Sequence, residues 1–375
     1  MLLTEHNIFY YLLDKGMISS KVVIDGEFTA RRNDSRNNNF IINREYDHHN
    51  FFIKQVKAPD AEKIETLRAE AACYQLAGND KRYNSLKNFL PEFFQYDQLN
   101  HVLITGQIKN AFTLFDYYFQ MAEFSKNIPE IIADSLASYH NTYLQANQQN
   151  PGMQFFKNQK PWVFTIATTP PEYYTGAAEQ QTVQLIHKNR EFLQLLSGIK
   201  NLWQPQSLIH NDAKFNNFLI SYDSEKNNIN FIKLIDWELA DIGDPLWDVA
   251  TVFQNYLSLW VNTDVPEQLI QPGAKKITLQ QVQPIINLFW KRYVQQMKWT
   301  PQQENSMLIK ATRYCALKLI HACFETAPYS QTLQPQSVKL LQISFNVLRS
   351  PSDAATKLLG IQHNTFKNEG QHQYS

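Results

Sequence analysis

The chain has 375 residues, enough for two domains or one large domain with two lobes, and its 43% hydrophobic and 13% aromatic content supplies a sizeable core. Its 35 Lys and Arg balance its 35 Asp and Glu. The chain as a whole therefore makes no electrostatic case for nucleic acid or a membrane as partner, and no apolar run approaches the ~18 residues a membrane span needs.

The opening stretch, MLLTEHNIFYYLLDKG, is apolar but interrupted by Glu5, His6 and Asp14. It lacks the basic start and small-residue cleavage site of a signal peptide. Cys73, Cys315 and Cys323 match no zinc or redox spacing. The expectation is a cytoplasmic protein in which each cysteine is a small buried hydrophobe. Residues 21–31, 38–46 and 50–57 cluster β-formers and read as strands, with RRNDSRNN and DHH as turns between them. A helix is expected from Pro59 and Asp60 onward, where Ile64, Leu67, Ala71, Tyr74 and Leu76 roughly keep a helical period. FLPEFFQYD and HVLITGQI add two strands. Strands, one helix and two more strands make a small antiparallel sheet with a single helix against it.

After about Gly106 the pattern turns helical. Residues 128–146 and 181–199 are amphipathic helix candidates, separated by a Pro- and aromatic-rich excursion over 150–176. Further helices are expected over 246–261, 282–297 and 306–326. Residues 361–375 form a polar tail expected to fray.

The chemistry concentrates in SLIHNDAKFNNFLI, residues 207–220. His210, Asp212 and Asn217 form H-x-D-x-x-x-x-N between runs that read as buried strands, so the polar groups stand on a rigid base. A second apolar strand, FIKLI, ends in Asp236, nineteen residues after Asn217. Two oxygen ligands at the ends of adjacent strands suit a hard cation such as Mg²⁺. Asp212 is then left to orient an attacking hydroxyl and accept its proton, the division of labour of kinase-type phosphoryl transfer. Taken alone, the loop reads more readily as a buried polar turn that stabilises two strands.

These stretches resemble the aminoglycoside phosphotransferase and choline kinase superfamily, small-molecule kinases with a protein-kinase-like fold. IHNDAKFNNFLI is similar to its catalytic loop, and LIDWELADIGDPLWDVA to its metal-binding segment and following helix. SLASYHNTY is similar to the helix that precedes the loop, and the wording HND and IDWE is closest to choline- and ethanolamine-kinase-like members. The resemblance implies an α+β, two-lobed enzyme using ATP and Mg²⁺ to phosphorylate a small-molecule hydroxyl acceptor; it is silent on oligomeric state. Residues 1–105 would form the nucleotide-binding lobe, and 106–360 the lobe with the catalytic loop and acceptor-binding helices. By position, Asp212 is the catalytic base, Asn217 and Asp236 are Mg²⁺ ligands, and His210 braces the loop. Lys214 stands where protein kinases place a lysine that contacts the transferred phosphate.

The resemblance also calls for a phosphate-gripping strand lysine with a helix glutamate. Lys54 and Glu70 fit best, with Lys57 a rival for the first and Glu62 and Glu65 for the second. No G-x-G-x-x-G precedes Lys54, so Ser35, Asn37 and backbone N–H groups would cover the phosphates. The adenine edge would meet backbone near Gly106 to Ile108. Past Asp248 the chain holds 12 Lys and Arg against 6 Asp and Glu, which disfavours a polycationic aminoglycoside acceptor. Trp247, Trp260, Trp290 and Trp299, with Tyr256 and Tyr293, could instead box a choline-, ethanolamine- or thiamine-type cation, or simply be core. Two other readings remain, a non-catalytic kinase-like nucleotide-binding module and an unrelated metal-dependent hydrolase.

Overall fold

The computed structural model describes residues 1–26, 28–34, 37–44, 50–57, 60–142, 151–223, 228–264, 275–327 and 330–362. The expected frayed tail lies outside them from residue 363 on. The chain divides into two compact units. One comprises Met1–Tyr117, Ser138–Gln159 and Gln206–Ile242, the other Tyr118–Ala137, Lys160–Pro205 and Gly243–Ser375.

The first unit opens with α1 (Ile8–Asp14) and α2 (Ser20–Ile24), followed by β1 (Phe28–Asp34), β2 (Asn38–Arg44) and β3 (Phe51–Gln55). Next come α3 (Ala61–Asn79), a 3₁₀ segment Lys81–Phe89, β4 (Phe93–Asp97) and β5 (Val102–Gly106). The sheet is antiparallel in the order β1-β2-β3-β5-β4. Its two faces follow the two-residue period of the strands. Phe40, Ile42, Phe51, Ile53, Val102 and Ile104 form one apolar face with Ile8, Tyr11 and Leu12 of α1. Asn39, Ile41, Phe52, Lys54, Leu103 and Thr105 line a cavity on the other. The antiparallel sheet and its helix α3 are as expected, and α3 starts at Asp60, whose carboxylate accepts from the N–H groups of Glu62 and Lys63.

Three local expectations need correction. Residues 21–31 do not form one strand: Ser20–Ile24 is a short helix and the strand begins at Phe28. The turn expected over RRNDSRNN is shorter, because Arg32, Asn33 and Asp34 pair with Phe40, Asn39 and Asn38 and carry the ladder almost to its tip. Helix α1 was not anticipated; its seven residues, IFYYLLD, are apolar all round except Asp14, so no period shows, and only Ile8, Tyr11 and Leu12 are buried.

Asp97, at the end of β4, is a buried polar hub. Its carboxylate accepts from the Tyr11 hydroxyl (3.0 Å), the backbone N–H groups of Leu99 (3.0 Å) and Asn100 (3.1 Å), and the Asn100 amide (2.9 Å). The Lys15 ammonium lies 2.8 Å away. Burial opposes the charge, but these donors outweigh it and hold the carboxyl well below its ordinary range. A depressed folded pKa stabilises above the unfolded value of ~3.9 and loses that contribution as pH falls through and below it. Asp97→Asn is therefore expected to cost about 1–3 kcal/mol near neutrality. The gap between variant and parent should close on acidification. Urea titrations at neutral and acid pH check this; a gap independent of pH refutes it.

The remaining first-unit strands are β6 (Phe112–Thr113), β7 (Ser207–Ile209), β8 (Phe218–Asp223), β9 (Asn228–Leu234) and β10 (Asp241–Gly243). β6, β8 and β9 form a three-stranded antiparallel ribbon, and β7 lies beside β10. The ribbon pairs Phe218 with Leu234 and Ile220 with Ile232. That register sets Asn217, just before β8, beside the residues just after β9, and the Ile235 N–H donates to the Asn217 carbonyl at 2.9 Å.

Helices α4 (Leu114–Met121) and α5 (Asn127–His140) precede the excursion, which contains three short 3₁₀ turns. The helix expected over 181–199 is two, α6 (Ala177–Lys188) and α7 (Arg190–Ile199). Asn189 is extended and its side chain accepts from the Phe192 N–H, ending one helix and capping the next. The second unit continues with α8 (Leu246–Thr263), α9 (Leu279–Met297), α10 (Pro301–Thr326), α11 (Pro335–Arg349) and α12 (Pro351–Lys357). Cys73, Cys315 and Cys323 are free and buried, as expected. Among the described residues no helix is long and apolar enough to cross a membrane.

Candidate functional site

Lys54 sits on β3 with Asn39 of β2 and Leu103 of β5 directly opposite it, so neighbours on both sides fix its direction. Its ammonium lies 2.7 Å from Glu70 Oε2 and 2.7 Å from Asp236 Oδ1. One cation thus joins the sheet, helix α3 and the turn after β9. Of the rival pairs, Lys54 and Glu70 are brought together, while Glu65 is exposed and paired with Lys157. Burial opposes the Lys54 charge, but the two carboxylates outweigh it and raise its pKa. A single ammonium cannot neutralise two carboxylates. Burial pushes Glu70 up to about 7 against the pull of Lys54, with Asp236 adding repulsion. Asp236 keeps its charge more easily. Burial opposes ionisation there too, yet Lys54 holds the carboxyl below its ordinary value.

Asp236 has a left-handed backbone (φ 64, ψ 57), and so does Asn211 (φ 68). Asp and Asn are the non-glycine residues that bear this conformation best, and it turns each chain sharply off its strand. Strained backbone of this kind gathers at functional sites.

The loop after β7 is ordered by its own polar groups. His210 is fully buried; its Nε2 donates to the Ile235 carbonyl (3.0 Å), which leaves Nδ1 to accept the Asp212 N–H (3.3 Å). His210 therefore ties the loop to the turn after β9 that carries Asp236. Asn217 Nδ2 donates to both the Asp212 carbonyl (2.8 Å) and Asp212 Oδ2 (3.0 Å). With its N–H groups so engaged, the Asn217 amide presents Oδ1 as the end suited to a cation. Lys214 Nζ lies 3.0 Å from Asp212 Oδ2.

Lys54, Glu70, Asn217 and Asp236 all line one cavity of about 360 Å³, as do Gly106 and Ile108. Asn37 also lines it; Ser35 lies outside the described residues. The Gly106 N–H donates to the Glu92 carbonyl (2.7 Å) and the Gln107 N–H to the Asn50 carbonyl (2.8 Å), so neither can serve a ligand. Asn39, Tyr74, Gln107 and Glu238 line the cavity too and were not singled out from sequence. Glu238 was within reach, since it stands two residues after Asp236; Asn39 was not, because only strand register places it opposite Lys54.

Among the described residues no three His, Cys, Asp or Glu side chains cluster to hold an ion alone. Asn217 and Asp236 supply two hard oxygen donors, the kind of partial set that Mg²⁺ accepts when phosphates and water complete its shell.

In the second unit Trp247, Tyr256, Trp290 and Tyr293 are at most 1% exposed. The Lys318 ammonium lies 4.1 Å from the Trp247 ring, and Trp299 packs against Trp290 and Tyr293. The Lys339 ammonium stands over Trp260 at 4.6 Å. Four of these rings are core, Trp260 already faces a cation of the chain itself, and Trp299 is half-buried against its two ring neighbours.

Residues 118–274 match the model of the phosphotransferase enzyme family. A curated relative, 4-hydroxytryptamine kinase of Psilocybe cyanescens, is 22% identical over 197 residues, 51% of this chain and 52% of the relative. The chain thus spans about half the length of the curated relative it matches. Among solved structures, a choline kinase from Cryptosporidium parvum Iowa II matches with a TM-score of 0.56 at 14% identity, over 94% of this chain and 98% of that one. An ethanolamine kinase from Plasmodium vivax matches with a TM-score of 0.55 at 13% identity, over 91% of this chain and 88% of that one. At these identities the structural likeness is one of fold.

Proposed function

We propose that this chain, whose fold is α+β and protein-kinase-like, belongs to the aminoglycoside phosphotransferase and choline kinase superfamily and is an ATP- and Mg²⁺-dependent phosphotransferase acting on the hydroxyl of a small molecule. The observation that carries this reading is the Lys54 ammonium held between Glu70 and Asp236, at 2.7 Å from each. A lysine so fixed at the wall of a cavity is a ready partner for phosphate oxygens, with Glu70 preventing it from swinging away.

In the proposed reaction the acceptor oxygen attacks the γ-phosphorus, the bond to the β-phosphate oxygen breaks and ADP leaves. Asp212 orients the hydroxyl and receives its proton. Lys54 holds the nucleotide phosphates and Lys214 meets the transferred group. His210 does no chemistry; it keeps the loop in register with Asp236. Asn217 and Asp236 would hold Mg²⁺, which when bound neutralises phosphate charge. A bare kinase-like binding module would have no use for Asp212, Asn217 and Asp236 together.

For the acceptor we propose a small hydroxylated metabolite of low positive charge. A drug with several ammonium groups would meet twice as many bases as acids in the chain past Asp248. Four of the six candidate rings are core and Trp260 already faces Lys339, which weakens the support for an aromatic cation box. ADP release should be measured with kanamycin-class drugs, choline, ethanolamine, thiamine, homoserine, 4-hydroxytryptamine and sugars. Turnover is expected among the singly charged or neutral alcohols. Efficient turnover of kanamycin refutes the charge argument, and turnover of choline alone restores the aromatic box.

A further inference from the structure

Gln107 directly follows β5 and lines the cavity shared with Lys54. Its backbone N–H is tied to the Asn50 carbonyl at 2.8 Å, which anchors the residue where the chain leaves the sheet. Its side-chain Oε1 is buried and has no hydrogen-bond partner among the described residues. A buried acceptor without a donor costs about 1–3 kcal/mol, so such an atom at a cavity wall is explained most simply by a ligand donor.

Resting on the nucleotide reading above, we propose that Gln107 is a specificity-determining residue whose Oε1 accepts a hydrogen bond from the exocyclic 6-amino group of adenine. The neighbouring walls fit a flat apolar ring, since Ile41, Leu103 and Ile235 line the same cavity. An adenine amine offers a donor to Oε1. Guanine presents a carbonyl oxygen at that position and would set two acceptors face to face. Adenine selectivity then comes from a side chain, which substitution can alter.

The test is a cycle that removes the hydrogen bond from either side. Calorimetry would compare ATP with purine riboside triphosphate, which lacks the amino group, on the parent and on Gln107→Met, which keeps side-chain length. Loss of the amino group is expected to weaken binding to the parent by about tenfold, and Gln107→Met to weaken ATP by a similar factor. Gln107→Met should bind the two ligands equally. A thermal melt matching the parent's, with GTP binding no weaker than the parent's, separates this from general damage. If Gln107→Met discriminates between ATP and purine riboside triphosphate as strongly as the parent does, the proposal is overturned. It is overturned equally if the coupling appears with 2′-deoxy-ATP, which would assign Oε1 to the ribose. Failure of the parent to bind any nucleoside triphosphate is a different result and removes the nucleotide reading itself.

Discussion

Asp212→Asn is expected to lower phosphoryl transfer by about 100- to 10,000-fold, the range general-base catalysis supplies, while nucleotide binding and folding persist. The substitution keeps shape. Asn217 still finds the Asp212 backbone carbonyl, and an amide oxygen can replace Oδ2 as acceptor of its second bond. Lys214 loses a carboxylate at 3.0 Å, but its side chain is 35% exposed and such a pair contributes little to stability. What the variant cannot do is take a proton from a hydroxyl. Single-turnover kinetics with an acceptor from the ADP-release screen, alongside calorimetric ATP binding, checks both halves. Near-parental turnover would show that Asp212 is not the base.

The ordered polar loop proposed as catalytic was legible because its signal is local. His210, Asp212 and Asn217 lie within eight residues, and the hydrogen bonds that order them run among themselves and to Ile235 at the end of the adjoining strand. The pairing of Lys54 with Glu70 was legible only as a choice among rivals, since Lys57 lies just past the same strand and Glu62 and Glu65 share the helix with Glu70. Tertiary placement decides it: the two-residue period turns Lys54 into the cavity, while Glu65 stays at the surface with Lys157. The break at Asn189 was hidden because the apolar period runs on through it; the single capping bond to Phe192 outweighs that period. The aromatic residues past residue 246 posed the opposite problem. Tryptophan at helical spacing reads the same in a core as in a cage, and only burial separates them.

The pKa pattern at Lys54 assigns different work to the two carboxylates. Glu70 is buried with its side chain 5% exposed and is pushed up to about 7, so its part is to anchor the Lys54 ammonium at 2.7 Å rather than to hold a reachable charge. Asp236 is 39% exposed and held below its ordinary value, a carboxylate that stays charged and reachable. The group that keeps its charge at the cavity wall is the one suited to a cation.

Asp236→Asn is accordingly expected to remove the Mg²⁺ dependence of nucleotide binding and to reduce transfer by about 100-fold or more, as befits loss of a charge worth several kcal/mol to the reacting phosphate. The choice of Asn is deliberate. Residue 236 has φ 64 and ψ 57, and Asn accepts that left-handed backbone as readily as Asp, whereas Ala would add strain. The folded state should therefore survive, and Lys54 keeps Glu70 as its counter-charge. With the parent, calorimetry in Mg²⁺ should give tighter ATP binding than in EDTA. With the variant the two titrations should coincide, because Lys54 still grips phosphate while the charged oxygen donor is gone. A variant that binds ATP more tightly with Mg²⁺ than without, by the parental factor, would show that the ion is held elsewhere and that Asp236 serves only to position Lys54.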